Sequence, residues 1–157
     1  MPRSQIEKTL VALAGEHLVA GQLFLRGYVA SHTPKNFPGV DMFVSRPGSG
    51  KYVPVQVKTA LKPTRSSNVG AYFLPKADDL GKHPERAFVF VAVWSSGNDF
   101  EVSYYILTAE RVLDISRHGL QQYVAAHPNV RPDQPLMLSI GDLEPFKGQW
   151  ENLSLGS

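Results

Sequence analysis

Cysteine is absent from this chain of 157 residues, which excludes disulfide frameworks, thiolate metal sites and cysteine nucleophiles. The sequence also lacks an apolar run long enough to span a bilayer, since the longest, residues 87–94, has the length of a strand. The first ten residues do not have the apolar core of a signal peptide. Neither a serine-hydrolase elbow nor a phosphate-binding loop is present. We therefore expect a cytoplasmic protein.

The composition is that of a folded protein, with 43% hydrophobic and 19% charged residues. A chain of 157 residues suits one domain with a single core. We predict that residues 1–157 form this domain, with a motif-bearing core over about 5–107 and a C-terminal helix and tail over 108–157.

Charge is unevenly distributed along the chain. Residues 1–65 contain nine Lys/Arg and three acids, whereas residues 66–157 contain seven and eleven. A basic half is a plausible footprint for a polyanion such as nucleic acid, although charge alone is equally compatible with an ordinary solvated surface. The candidate phosphate contacts are Arg3, Lys8, Lys35, Lys51, Lys62 and Arg65.

Periodicity predicts a helix, three strands, a loop, two further strands and a second helix. The strands are expected over residues 28–32, 40–45, 52–60, 87–94 and 102–107. The first three should form a meander, and the uniformly apolar fourth should be buried on both faces. A central mixed β-sheet of about five strands flanked by helices is the simplest α/β architecture that fits this order.

The two helices have recognisable ends and faces. Apolar residues between Ser4 and Arg26 recur at intervals of three and four, which predicts a core-facing stripe ended by Gly27. Its members are Ile6, Leu10, Leu13, Ala14, Ala20, Phe24 and Leu25. Thr108 is a good N-cap for the second helix, which we expect to break near Gly119.

Polar residues interrupt two of the predicted strands. In the segment VPVQVKT, the alternation of a strand puts three valines on one face and Gln56 with Lys58 on the other. Asp41 is the single acid in the apolar segment GVDMFV, and a meander would bring it beside this polar pair. Glu16 lies at the margin of the first helix's apolar stripe without a basic neighbour at three or four residues, so it needs a cation or a donor.

These fragments resemble the PD-(D/E)xK nuclease superfamily, which has the restriction-endonuclease-like fold. The resemblance is to its small Holliday-junction-resolvase-like members, and it rests on three fragments within residues 5–60. They are Gly15-Glu16, Gly39-Val40-Asp41 and Val55-Gln56-Val57-Lys58-Thr59. The resemblance implies a catalytic set of Glu16, Asp41, Gln56 and Lys58.

The resemblance also implies a cofactor and a reaction. Asp41 would be the central Mg²⁺ ligand, supported by Glu16, the Val57 backbone carbonyl and Gln56, and Mn²⁺ would substitute. Lys58 would orient the attacking water or stabilise the transition state in hydrolysis of DNA phosphodiester bonds. Recognition of backbone or branched DNA shape, rather than base sequence, suits so short a chain. Roles in DNA repair, recombination or defence are implied, and a homodimer is compatible with this class.

Two positions depart from the family pattern. Val40 replaces the proline before the aspartate, and Gln56 replaces the second acid, which removes one negative charge from the metal site. The alternative hypothesis is therefore a catalytically inactive nuclease-fold protein that binds nucleic acid or a protein partner, as an antitoxin, immunity or accessory subunit.

Each site residue also has a purely structural interpretation. Lys58 would be a solubilising edge-strand lysine, and Asp41 would bond the preceding turn. Glu16 would be a carboxylate on the helix rim, and Gln56 a structural amide. For His17, on the first helix, we expect a place in the core rather than a role as a ligand.

Overall fold

The computed structural model describes residues 4–35, 37–62, 72–74, 77–131 and 136–155. The helices are α1 (Gln5–Leu25), α2 (Ala77–Lys82), α3 (Ala109–Ala126) and α4 (Ile140–Leu143). The strands are β1 (Val29–His32), β2 (Met42–Ser45), β3 (Tyr52–Lys62), β4 (Tyr72–Leu74), β5 (Ala87–Ser96), β6 (Asp99–Thr108) and β7 (Leu136–Leu138). Two short 3₁₀ turns, Glu144–Phe146 and Trp150–Leu153, follow α4. No helix in these ranges has the length and hydrophobicity needed to cross a membrane.

Five strands form an open mixed sheet in the order β1-β2-β3-β5-β6. The first three make an antiparallel meander, β3 and β5 are parallel, and β5 and β6 form an antiparallel pair. β5 is buried from Ala87 to Trp94 because strands flank it on both sides and helices cover both faces. The predicted α/β class, the mixed five-stranded sheet and the meander are confirmed. A separate pair, β4 with β7, lies outside this sheet.

The sheet separates two hydrophobic clusters. One face of β3 and β5 presents valines to α1, where they pack with Val19 and Leu23. The other face presents Phe88 and Phe90 to a cluster that includes Val112 of α3. The strand alternation that sends Val55 and Val57 towards α1 therefore turns Gln56 and Lys58 to the opposite side of β3.

Helix α1 begins and ends as the sequence predicts, but it buries a different face. Ser4 forms a capping box with Glu7, and Gly27 follows the helix with φ +80°. The buried residues of the helix are Gly15, Val19, Ala20 and Leu23. Ala20 is the one buried member of the predicted core-facing stripe, and all of the stripe's large side chains are exposed, so that prediction is wrong. Both faces of the helix are apolar, and periodicity alone cannot choose between them.

Helix α3 is continuous, which corrects the predicted break near Gly119. Thr108 is its N-cap, as predicted, and the helix runs without interruption to Ala126. A glycine in a helix costs about 1 kcal/mol relative to alanine, an amount that the packing of α3 against β6 and β7 can offset.

Candidate metal-binding site

The site begins where β2 stops pairing with β3. β2 pairs only with Tyr52–Val55 of the longer strand β3. Beyond this pairing, the edge of β3 is hydrogen-bonded by Asp41. The Asp41 backbone N–H donates to the Val55 carbonyl at 2.9 Å, and the Asp41 Oδ2 accepts from the Val57 N–H at 2.7 Å. Because the N–H and C=O of one strand residue point to the same side, the Val57 carbonyl faces this edge too. The carboxylate and that carbonyl are therefore neighbours.

Asp41 is held in an environment that disfavours its charge. Burial raises the pKa of the Asp41 carboxyl, and the Val57 N–H, Lys58 and His32 lower it without offsetting the effect of burial. A desolvated carboxylate at a strand end is stabilised by a cation, which restores the favourable interactions lost with water.

Glu16 lies close enough to Asp41 for the two carboxylates to repel each other. The Glu16 side chain is half-buried, and the pKa of its carboxyl is raised first by burial and then by the negative charge of Asp41. His17 acts in the opposite direction. Among the described residues, the Glu16 carboxylate has no hydrogen bond or ion pair, so a bound cation would relieve both its desolvation and its repulsion by Asp41.

Gly15 allows α1 to approach β3 at this point. A Cβ built on Gly15 would overlap the Thr59 side chain, with the Thr59 Cβ at 2.8 Å and its Cγ2 at 2.9 Å. Only a residue without a side chain fits so close a contact between helix and strand. Because Glu16 is the next residue of the helix, this contact sets the distance between its carboxylate and the strand.

Replacing Gly15 with alanine is expected to lower the free energy of unfolding by about 1–3 kcal/mol, because the added methyl group pushes α1 away from Thr59. Chemical denaturation measures this change. The control is Gly119→Ala in α3, where a Cβ meets no atom within 4 Å and should stabilise the protein slightly. Equal stabilisation by both substitutions would show that the close contact does not constrain the helix.

Lys58 is the cationic member of the site. It is half-buried on β3, where burial lowers the pKa of its ammonium group. The negative charge of Asp41 opposes this shift, and the positive charge of Arg86 adds to it. Asp41 is thus coupled electrostatically to both Glu16 and Lys58, which lie on either side of it.

Gln56 lies in an adjoining pocket of about 400 Å³ on the side of the sheet away from α1. Pro38, Gly39, Val40 and Arg86 contribute to the lining of this pocket. The Gln56 side chain is 9% exposed, and its Oε1 is buried without a hydrogen-bond partner in the described part of the chain. The Gln56 amide therefore borders the segment that precedes Asp41. Its oxygen is available to accept a hydrogen bond.

Arg86 is a site residue that the sequence patterns do not reveal. Its guanidinium is buried over the Phe88 ring, with Cζ 4.9 Å from the ring centroid, and its Nη1 donates to the Gly39 carbonyl at 3.1 Å. A Cβ on Gly39 would lie 2.6 Å from Nη1, and Gly39 has φ +68°, so glycine is required for two reasons. Arg86 consequently fixes the turn two residues before Asp41.

Arg86→Met is expected to lower the free energy of unfolding by about 1–3 kcal/mol, since the Gly39 carbonyl loses its buried donor. Metal affinity should fall as well, because the Asp41 segment loses its support. Denaturation and metal titration measure the two effects, with Arg111→Met on the exposed face of α3 as the control. Loss of neither property would contradict a positioning role for Arg86.

Two histidines also adjoin the carboxylates. The His17 and His32 rings lie 5.0 Å apart between centroids, and each histidine affects the pKa of a carboxyl in the site. His17 is exposed, so the expectation of a core histidine is wrong. In the sequence, only the position of His17 next to Glu16 indicated that this histidine adjoins the site.

The four candidate phosphate contacts that lie within the described residues do not form one cluster around the site. Lys51 lies at the hairpin end of β3, about 20 Å along the strand from Lys58, whereas Lys62 continues the strand beyond it. Lys8 lies about two turns of α1 before Glu16, and Lys35 belongs to the β1–β2 connection. Arg3 and Arg65 lie outside the described residues.

The donor set fits a hard divalent cation. Among the described residues, no three His, Cys, Asp or Glu side chains converge into a complete metal site. Glu16 and Asp41 supply two carboxylates, and the Val57 carbonyl supplies a neutral oxygen at the same edge. Mg²⁺ favours such oxygen ligands and retains several waters, so it does not require a larger protein set.

Comparison with known proteins does not assign the chain to a family. No family model matches it. No curated protein sequence is significantly similar to it.

Proposed function

We propose that the protein is a metal-dependent nuclease of the PD-(D/E)xK superfamily, with a restriction-endonuclease-like fold, that hydrolyses phosphodiester bonds in DNA. The observation that carries the proposal is that Asp41, a desolvated carboxylate bonded to the β3 edge, is coupled electrostatically both to the half-buried carboxylate of Glu16 and to the partly buried ammonium of Lys58. Such perturbed groups in one place are typical of catalytic sites.

Each residue has a role that its position supports. Glu16 and Asp41 would hold Mg²⁺, with the Val57 carbonyl beside them. When bound, Mg²⁺ makes a coordinated water more acidic and neutralises charge on phosphate oxygens. Lys58 donates hydrogen bonds to the attacking water or to the phosphate. There its positive charge stabilises the negative charge that develops in the transition state.

Gln56 replaces the second acid of the family pattern, and the residues around it predict the effect of restoring a carboxylate at this position. Gln56→Glu is expected to retain or raise cleavage and metal affinity, because it adds negative charge at the site. The Arg86 guanidinium, which lines the same pocket and has two buried nitrogens without a hydrogen-bond partner among the described residues, would offset the cost of burying that charge. Parallel cleavage and metal titrations on the folded variant measure this effect. Loss of activity would instead mean that the Gln56 amide N–H is needed.

The proposal is tested by incubating the full chain with linear, nicked and four-way DNA, and with RNA, in Mg²⁺ or Mn²⁺. Cleavage of at least one DNA form that stops on chelation supports the proposal. Substrate preference among these forms separates backbone or branched-shape recognition from other modes. Equal cleavage by wild type, Asp41→Asn and Lys58→Met would identify a contaminating nuclease and reject the proposed function.

The second candidate function is that of a catalytically inactive binding protein. The observation that favours it is Gln56, because the site lacks the second acid of the family pattern. Binding of DNA without cleavage under every metal condition would support this candidate and contradict the first.

A further inference from the structure

The outward face of α1 carries an apolar stripe that the rest of the described chain leaves open to solvent. Its six large side chains, Ile6, Leu10, Leu13, Leu18, Phe24 and Leu25, are 37–82% exposed. Phe24, Leu25, Leu18 and Gly21 also line an open groove with Tyr104 of β6. We refer to these six residues as the α1 outer stripe.

Helix α1 is therefore apolar on both of its faces. Its inner face packs Val19 and Leu23 against the sheet, and from Thr9 to Leu25 the only Asp, Glu, Lys or Arg is Glu16. A helix that is hydrophobic all round is normally covered on all sides. A contiguous apolar patch on a soluble protein marks a surface that binds another molecule.

The size of the α1 outer stripe matches a protein interface. With each full side chain presenting about 150–200 Å², the exposed fractions leave roughly 600 Å² of apolar surface on one copy. Each partner in an interface of standard size buries about 800 Å². Backbone and polar atoms at the margins would supply the difference, so the stripe is large enough for the centre of a stable dimer.

The spacing of the stripe makes it complementary to itself. Four members of the stripe, Ile6, Leu10, Leu13 and Phe24, lie on one helical line with His17 and Gly21, and this line repeats at intervals of three and four residues, which is the spacing of helices that pack side by side. When a second copy runs antiparallel, Phe24 lies opposite Ile6, and the small Gly21 lies opposite the large Leu10. The antiparallel arrangement also sets the two helix dipoles in opposition, which is electrostatically favourable.

We propose that the α1 outer stripe is the self-association surface of this protein, where α1 of a second copy packs antiparallel to form a two-fold dimer. One interface then covers the apolar surface on both copies, as expected for an isologous contact. Glu16 lies near the middle of the helix, so the two candidate metal sites would lie level with the two-fold axis. That consequence rests on the proposed function, whereas the dimer itself does not.

Mass in solution tests the dimer independently of cleavage. Sedimentation equilibrium of the full chain should show a species of twice the chain mass of 17.3 kDa. Leu10→Glu should weaken the dimer by on the order of tenfold or more, because it puts a charge into an apolar interface. Phe100→Glu is the matched control, since Phe100 on β6 has the same 59% exposure as Leu10 and should leave the dimer intact. Circular dichroism confirms that each variant is folded.

The absence of cysteine allows a test of orientation. Chains with Ile6→Cys and Phe24→Cys, mixed and oxidised, should cross-link to each other much more than either does to itself. In an antiparallel pair the two Ile6 positions are separated by about 27 Å of helix, so self-linking is excluded. A wild-type monomer at every concentration, a dimer unaffected by Leu10→Glu, or preferential self-linking at position 6 would each overturn the proposal.

Discussion

Replacing Asp41 with asparagine is expected to reduce DNA cleavage on the order of a hundredfold or more. The substitution removes the central charge of the metal site but keeps a side-chain oxygen that can accept the Val57 N–H bond. Initial rates at saturating Mg²⁺ or Mn²⁺ measure the effect. Retention of wild-type cleavage would show that Asp41 does not hold the metal.

At pH values above the folded pKa of Asp41, the same variant should be as stable as the metal-free wild type, or more stable. Burial raises the pKa of Asp41, so its contribution to stability is present below the pKa of the unfolded chain and is lost as pH rises through the folded pKa. Above the folded pKa the buried carboxylate is charged, and asparagine removes the cost of burying that charge. The difference in melting temperature should therefore shrink as the pH falls below both pKa values. A large loss of stability in that charged range would indicate a structural role instead.

Lys58→Met is expected to lower the cleavage rate by a similar factor, on the order of a hundredfold, while leaving the metal site in place. Methionine preserves most of the volume of the side chain but removes the ammonium group that would contact water or phosphate in the proposed reaction. Metal affinity should be retained or increased, because a positive charge near Asp41 is lost. Calorimetric titration and single-turnover cleavage measure the two properties separately.

The control for Lys58→Met is Lys147→Met, which removes an exposed lysine from the segment after α4. It should change neither cleavage nor metal affinity. Parallel loss of metal binding and cleavage in Lys58→Met would mean that Lys58 maintains the fold of the site, which would contradict its assignment to the chemical step.

The alternation of β3 was predictable because it depends on local geometry. Successive strand residues face opposite sides, so the valines of VPVQVKT identified the side that packs on α1. The meander then brought Asp41 to the same strand, where it bonds Val57. The positions of these residues could be predicted because they depend only on short connections between neighbouring strands.

Arg86 was not predictable in the same way. Its contact with Gly39 joins residues 47 positions apart, and it depends on the parallel register that sets β5 beside β3. The contact between Gly15 and Thr59 likewise depends on how closely a helix approaches a strand. Patterns along the sequence carry no information on such distances.

The buried face of α1 was assigned wrongly for a different reason. The stripe with the larger side chains was expected to face the core, but the sheet receives the narrower face with Gly15, Val19 and Leu23. A small residue lets the backbone approach, and this close approach is what brings Glu16 towards the strand. The larger side chains remain exposed, on the surface that we propose for self-association.

Titration of the metal-free protein with Mn²⁺ by calorimetry tests the central claim most directly. Wild type should bind the ion, and both Asp41→Asn and Glu16→Gln should weaken binding by at least about tenfold, since each removes a charged ligand. Asp114→Asn on the exposed face of α3 should bind as wild type does. A wild type that does not bind Mn²⁺, or an Asp41→Asn variant that binds it equally well, would contradict the existence of a cation site at this strand edge.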